Sequence, residues 1–295
     1  MKKIVVLIPT YNRKEQLIQL LKQLLVKGYY GQYTFEIVVV VDGSQDGTLE
    51  TLEKEFKQIH VVKGNGNWWY TKSMNEGFKY ADKLNPHFVL TLNDDIKLES
   101  DYLQKMIKAI HQSPSNSIIG SVSLTENNPH KLLFSGIKKI KWWRMKLVRY
   151  HELFEQIDIK QQAGIYKSIA LPGRGTLIPF SIIKELKMFD AQFLQYHSDY
   201  DFCLRARKKG YCTVISWEAI NYSYAAQTSA STSYLKSSLN SFIKSFFQRN
   251  SRIFILDHIR FISRHGNKIL IPITFLIFIL ASFKAHFFNK KLNEI

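Results

Sequence analysis

Apolar positions along the first hundred residues follow two alternating rhythms. Unbroken runs such as "KIVVLIP" and "FEIVVVVD" are each followed by a segment whose apolar residues recur at helical spacing. In "RKEQLIQLLKQLLVKG" the recurring positions are Leu17, Leu20, Leu21, Leu24 and Leu25, and Gly28 stops the pattern. The alternation continues through "DGTLETLEKEF", "HVVK", "KSMNEGFKYADKL", "HFVLTLND" and "ESDYLQKMIKAIHQ". Strands that are apolar throughout, interleaved with helices, predict a mostly parallel, Rossmann-like α/β sheet covered on both faces.

From about residue 113 the alternation weakens. "SIIGSVSL" predicts a further strand, and the basic, aromatic segment from Lys131 to Tyr166 places Trp142 and Trp143 on hairpin strands or a loop. "LPGRGTLIPFSIIKELKMFD" predicts a glycine turn, a strand and a helix, and "HSDYDFCLRARKKGY" a helix ended by Gly210. Beyond about residue 225 the pattern is helical and basic, which divides the chain into residues 1–225 and a helical extension, 226–295.

Charge sharpens that division. The formal charge is +17, and residues 202–295 hold 14 Lys+Arg against 3 Asp+Glu, a net of +11 that leaves +6 for residues 1–201. The same third contains "ILIPITFLIFILASF", an uncharged run from Ile269 to Phe283 with Arg264, Lys268 and Lys284 at its flanks. A spanning helix needs about 20 residues, so a short run entered through Pro272 predicts a helix lying in or dipping into an anionic bilayer surface. A buried core helix or an oligomer contact are its alternatives. Two cysteines, Cys203 and Cys212, make no disulfide framework or metal motif, which suits a reducing compartment. The apolar start before Pro9 is too short for a signal-peptide core and reads as a first strand.

In parallel sheets of this kind ligands bind beyond the carboxyl ends of the strands. Those ends carry Thr10-Tyr11-Asn12-Arg13, Asp42-Gly43-Ser44, Gly64-Asn65-Gly66-Asn67 and Asn93-Asp94-Asp95. Neither a dinucleotide fingerprint nor a P-loop is present. Adjacent carboxylates at a strand end require a positive partner, and Asp94 with Asp95 suits Mg²⁺ or Mn²⁺ gripping a diphosphate. Alternatively, one of the two caps the helix that begins near Ser100. Asp42 is placed either to accept hydrogen bonds from a ribose or base, or to act as a turn residue ahead of an Asp46-capped helix. Asp199 and Asp201, two apart on a helix, point to nearly opposite sides. Ser198 and Asp201 fit a capping box, with Arg205 one turn on for an ion pair, which leaves Asp199 as a candidate general base.

Taken in order, "IPTYNR", "VVVVDGSQDGT", "GNGNWWYTKSMNEGFKYA", "TLNDDI", "GRGTLIP" and "QYHSDYDFCLRARKKGY" resemble glycosyltransferase family 2, inverting enzymes with the GT-A fold, over roughly residues 3–215. The bacterial polysaccharide-assembly, rhamnosyltransferase-like branch is the most similar. The resemblance implies transfer of a sugar from a nucleotide-diphosphate donor to a hydroxyl of a glycan or polyprenyl-linked acceptor. It also implies a cytoplasmic enzyme, peripheral at the inner face of the membrane. Pro9, Thr10 and Asn12 resemble the nucleoside-wrapping loop, and Asp42 the carboxylate that reads base or ribose. Trp68 and Trp69 resemble the wall of the sugar pocket, and Arg205 is counted with the donor-binding groups. Asp95, helped by Asp94, resembles the metal ligand of the DxD-like motif, and Gly173, Arg174 and Gly175 the acceptor-side turn. Asp199 matches the catalytic base, although the family more often has Glu-Asp where this chain has Ser198-Asp199. Many members follow with a metal-holding histidine, but "INYSYAAQTSAST" has none; Tyr222, Tyr224 or water takes its place, or metal dependence is weaker.

Two other classes fit the sequence less well. A charge of +17 with abundant aromatics also fits nucleic-acid binding, but no recognition motif accompanies it and the basic excess adjoins an apolar run. Sugar-phosphate nucleotidyltransferases carry a glycine-rich loop after the first strand, whereas "PTYNRKEQ" has no glycine.

Overall fold

A computed structural model describes residues 1–25, 29–127, 130–224 and 237–292. The chain opens with β1 (Lys2–Thr10) and α1 (Lys14–Leu25), then β2 (Tyr29–Tyr30), β3 (Tyr33–Val41), α2 (Thr48–Glu55), β4 (His60–Lys63), α3 (Trp69–Lys83) and β5 (Phe88–Thr91). Next come β6 (Ile96–Leu98), α4 (Tyr102–Gln112), β7 (Ile118–Thr125), β8 (Leu132–Phe134) and a hairpin of β9 (Ile137–Lys141) and β10 (Lys146–Arg149). Trp142 and Trp143 sit in the short 3₁₀ turn of that hairpin. Then follow β11 (Ile165–Lys167), β12 (Thr176–Pro179), α5 (Phe180–Glu185), α6 (Ser198–Lys208) and β13 (Thr213–Ser223). Three helices end the chain: α7 (Leu239–Ser245), α8 (Ile255–His265) and α9 (Ile271–Leu292).

The expected α/β architecture is present: β4, β3, β1 and β5 run parallel, and β7 and β13 form a second parallel pair. Joining them is β12, antiparallel to both β5 and β7. Helices cover both faces, so β1 is buried on two sides. Val5 and Leu7 pack with Met74 and Phe78 of α3, while Ile4, Val6 and Ile8 pack with Leu17, Leu20 and Leu21 of α1. Each such side chain contributes about 1.5–3 kcal/mol by leaving water. A Cβ at Gly77 would strike Leu7, so this glycine lets α3 lie directly on β1.

The C-terminal helices are turned the other way. Along α9 the small polar residues Thr274, Ser282 and His286 are buried, and Ile273, Leu276 and Leu280 are each more than half exposed. Pro272 falls in the first turn, where a proline is tolerated, and does not shorten the helix. Lys268–Phe288 is the one helix among the described residues long and apolar enough to cross a membrane by length and composition. Its inner side packs through Phe278, Ile279 and Phe283 on Phe242, Phe246 and Ile253.

Asp201 ties these helices to the sheet domain. Wholly buried, it is 2.7 Å from Arg205 Nε, 2.8 Å from Arg264 Nη1 and 2.8 Å from His265 Nε2. Burial works against its charge, but the hydrogen bonds from His265 and Arg205 prevail and hold its pKa at about 2. The expected capping box does not form. His197, at φ 70°, precedes the helix, Ser198 Oγ is buried without a partner, and Asp201 faces the C-terminal helices instead. Asp46 accepts the Thr48 N–H two residues on, but the residue that precedes α2 is Gly47, so Asp46 is not its N-cap. Residue 225, where the sequence divides, lies outside the described residues.

Candidate active site

Side chains at the ends of β1, β3 and β5 surround a cavity of about 300 Å³ lined by Pro9, Thr10, Arg13, Asp42, Trp69 and Asp94, among others. The acidic pair, of which Asp94 lines the cavity, has a positive partner from the chain itself. Arg13 Nη1 donates to Asp94 Oδ1 at 2.9 Å and lies 3.1 Å from Asp95 Oδ2. Thr10 Oγ1 donates to Asp94 Oδ2 at 2.8 Å. Burial pushes the Asp94 pKa up to about 6 despite the opposing Arg13 charge. Sequence reasoning missed Arg13 as this partner, because the contact spans 81 positions.

Asp95 is 1% exposed, and its Oδ1 is buried with no hydrogen-bond partner. An open carboxylate oxygen beside a second carboxylate fits a hard divalent cation, which takes one or two protein carboxylates and completes its shell with water and phosphate oxygens. No further acidic, histidine or cysteine side chain joins them among the described residues. Tyr222 Oη donates to Glu99 at 3.1 Å and Tyr224 Oη to Gln19 at 3.1 Å, so both hydroxyls are engaged by other side chains. Most of "INYSYAAQTSAST" after Tyr224 lies outside the described residues.

Asp42 holds the loop before α3. Its Oδ1 accepts the Gly66 N–H at 2.8 Å, and its Oδ2 those of Trp68 and Trp69 at 2.8 and 3.0 Å. Three of its acceptor positions are thereby used, so the turn-residue reading describes most of what Asp42 does. Gly43 is needed here, since a Cβ would lie 2.5 Å from the Gly66 nitrogen. Trp69 adopts φ 56°, a backbone conformation costly for a large side chain and characteristic of functional loops. Asn12 likewise acts as a stitch, accepting the Gln45 N–H at 2.7 Å and donating its own N–H to Ser44.

Asp199 stands at the start of α6. Its Oδ2 accepts the Gly173 N–H at 3.0 Å and its Oδ1 the Tyr200 N–H at 2.8 Å. Burial outweighs these bonds and raises its pKa to about 6, suited to a base near neutral pH. Gly173 and Arg174 are therefore beside Asp199. Gly175, at φ 77°, leaves no room for a Cβ against Ser121. Tyr70 connects this corner to the cavity: its ring lines the cavity, its buried hydroxyl has no partner, and a Cβ at Gly173 would collide with it. Gln195, which accepts the Tyr70 N–H at 3.1 Å, also lines the cavity. Nothing in the sequence marked either residue, apart from Tyr70 following the Trp pair.

Arg205, counted with the donor-binding groups, does not line the cavity: its three nitrogens serve Asp201 and the carbonyls of Leu186 and Met188 at 2.7, 2.7 and 2.9 Å, which makes it a structural clamp.

With this geometry in hand, comparison with known proteins gives a consistent result. The profile of the family "Glycosyl transferase family 2" matches residues 5–163. An undecaprenyl-phosphate 4-deoxy-4-formamido-L-arabinose transferase of Photorhabdus laumondii is 28% identical over 115 residues, 38% of this chain and 34% of that protein. A counterpart in Proteus mirabilis is also 28% identical, over 36% of this chain and 32% of its own. This chain thus matches about a third of the length of these curated relatives. Among solved structures, the mannosyltransferase PcManGT of Pyrobaculum calidifontis with GDP-Man and Mn²⁺ superposes with a TM-score of 0.59 at 12% identity, covering 96% of this chain and 73% of that one. TarS of S. aureus with UDP gives 0.53 at 18% identity, covering 89% and 72%.

Proposed function

The chain belongs to glycosyl transferase family 2, and from that premise we propose that it is an inverting enzyme of bacterial cell-surface polysaccharide assembly. It moves a sugar from a nucleotide-diphosphate donor to a hydroxyl of a glycan or lipid-linked acceptor. One observation carries this reading: Asp199, with its pKa raised to about 6, sits beside the orphaned hydroxyl of Tyr70, the residue that links this corner to the cavity.

In this reading Pro9, Thr10, Trp69 and the Asp42-held loop receive the nucleotide sugar. Asp199 accepts the proton of the acceptor hydroxyl, whose oxygen attacks the anomeric carbon as the bond to the diphosphate oxygen breaks. A single displacement from the opposite face inverts that centre and requires no enzyme nucleophile. Asp95 and Asp94 would hold Mg²⁺ or Mn²⁺, which supplies charge neutralisation for the leaving diphosphate when bound. Relatives named for undecaprenyl-phosphate transfer, and a solved neighbour with Mn²⁺, support the acceptor class and the metal.

Residues 1–225 form the catalytic unit and 226–295 a membrane-facing extension, in this proposal at the cytoplasmic face. The outward apolar side of α9 and the net +11 of residues 202–295 support association with an anionic bilayer rather than with nucleic acid. The deciding experiment screens nucleotide sugars by thermal shift with Mn²⁺, then measures transfer by wild type and Asp199→Asn. Loss of transfer with nucleotide affinity kept is expected, and undiminished turnover removes Asp199 from the mechanism.

A further inference from the structure

Five arginines of the described chain have clear partners: Arg13 on Asp94 and Asp95, Arg205 on Asp201, Arg207 on Thr213, Arg260 on Asp257, and Arg264 on Asp190 and Asp201. Of the other five, Arg144 lies over the Trp143 ring and Arg249 acts on Asp257, whereas Arg149, Arg174 and Arg252 act on Tyr200, Asp199 and Tyr70. None of the three makes a hydrogen bond or ion pair among the described residues, and the Nε atoms of Arg149 and Arg174 are buried without a partner.

These side chains come from three distant parts of the sequence, on elements that pack around the start of α6. Arg149 ends β10, Arg174 lies between Gly173 and Gly175, and Arg252 stands three residues before α8. The packing explains the convergence: Tyr200 shares a cluster with Ile140 and Trp142 of the hairpin and Phe261 of α8. Next to it, His258 of α8 stands edge-on to His197, ring centroids 4.8 Å apart. Arg174 acts electrostatically on Asp199 and on the Tyr70 hydroxyl, while Arg149 and Arg252 both act on Tyr200. Asp199 balances Arg174 in part, but three guanidinium charges exceed one carboxylate, and an arriving anion relieves the remaining repulsion. The planar donor fork of arginine matches phosphate oxygens in pairs.

We propose that Arg149, Arg174 and Arg252 form an anion subsite for a phosphoryl group carried by a lipid-linked acceptor, holding that acceptor with its hydroxyl at Asp199. This rests on the transferase reading above and adds to it a feature of the acceptor and the residues that bind it. A lipid source is favoured by position: α8, which Arg252 precedes, packs through His258 on Phe278 of α9, the helix with the outward apolar face.

Calorimetry with the full-length chain in EDTA, which silences metal-dependent diphosphate binding, tests this with farnesyl phosphate, farnesol and inorganic phosphate as probes. Farnesyl phosphate is expected to bind, and Arg149→Gln, Arg174→Gln and Arg252→Gln each to weaken it roughly tenfold or more, with farnesol indifferent to all three. Arg252 is exposed, so Arg252→Gln reports on binding even if the partly buried variants fold poorly. Unchanged affinity in Arg252→Gln and in the triple variant overturns the proposal. So does inorganic phosphate binding as tightly as farnesyl phosphate, which would mark a free-phosphate site. A parallel loss of flotation with phosphatidylglycerol vesicles in the same variants would instead assign the arginines to lipid headgroups and likewise overturn it. Transfer is not read here, so failure of the Asp199 mechanism and failure of this subsite remain distinguishable.

Discussion

β1 and α9 are both apolar segments next to lysines, yet they end in opposite environments. Ile4 to Ile8 of β1 are buried, whereas Ile273, Leu276 and Leu280 of α9 face outward while Thr274 and His286 are enclosed. A segment that hides its methyl groups is stabilised by its own fold, and one that shows them gains that stabilisation only from another apolar phase. In the proposed function the sheet domain and the C-terminal helices solve different problems, one of rigidity around a site and one of location. Asp201 joins the two, with Arg205 on its own helix and Arg264 and His265 from beyond it.

Breaking that joint has the largest expected effect. Removing one member of a buried charge cluster costs about 3–5 kcal/mol, so Asp201→Asn should lower the unfolding midpoint strongly. It should also shift α8 relative to α6, seen as new hydrogen exchange in α8. An unchanged midpoint would mean that the two regions are independent. The pH dependence follows from the depressed pKa: stability from Asp201 is complete above 3.8 and fades as pH falls toward about 2. Asp201→Asn should lack this acid-side loss.

Next in size, core and outer apolar residues separate by stability. Leu20→Ala leaves a hole in a filled interior and should cost about 2–5 kcal/mol. An equal cost for Leu276→Ala would show that α9 is covered by protein.

Much of this was legible beforehand, and the limits are physical. Local periodicity reveals what each segment buries, so α1 with its leucines and the parallel strands follow directly from the chain. Partners far apart in sequence leave no such trace. Arg13 meets Asp94 across 81 positions and Arg264 meets Asp201 across 63, and composition is silent on both. The capping box failed for a related reason: Ser198 and Asp201 have the spacing, but left-handed His197 and the distant Arg264 and His265 redirect Asp201. Within the site, Asp94, Asp95 and Asp199 were readable as carboxylates at element ends, whereas the orphaned Tyr70 hydroxyl needed the fold to bring it to Gly173.

Catalysis sharpens the contrast at a smaller energy. A base must be ionised to accept a proton, and the Asp199 pKa is raised to about 6, mainly by burial. Transfer should therefore be half-maximal near pH 6 and fall about tenfold per unit below it. Arg174 favours the ionised form, so Arg174→Gln should move that midpoint to higher pH. A midpoint near the ordinary carboxylate range in wild type would mean that Asp199 is solvated when substrate is bound.

The smallest stability effect should accompany a large change of location. Leu276→Gln and Leu280→Gln alter residues already in contact with solvent, so each should change unfolding free energy by no more than about 0.5 kcal/mol. Their methyl groups are nevertheless what α9 offers a bilayer, and each buried CH₂ contributes about 0.8 kcal/mol there. Flotation with phosphatidylglycerol vesicles should fall for the double variant while its melting curve overlays that of wild type. If flotation stays and the melting curve drops, the outward face of α9 is an internal contact of an oligomer, and the contrast with β1 disappears.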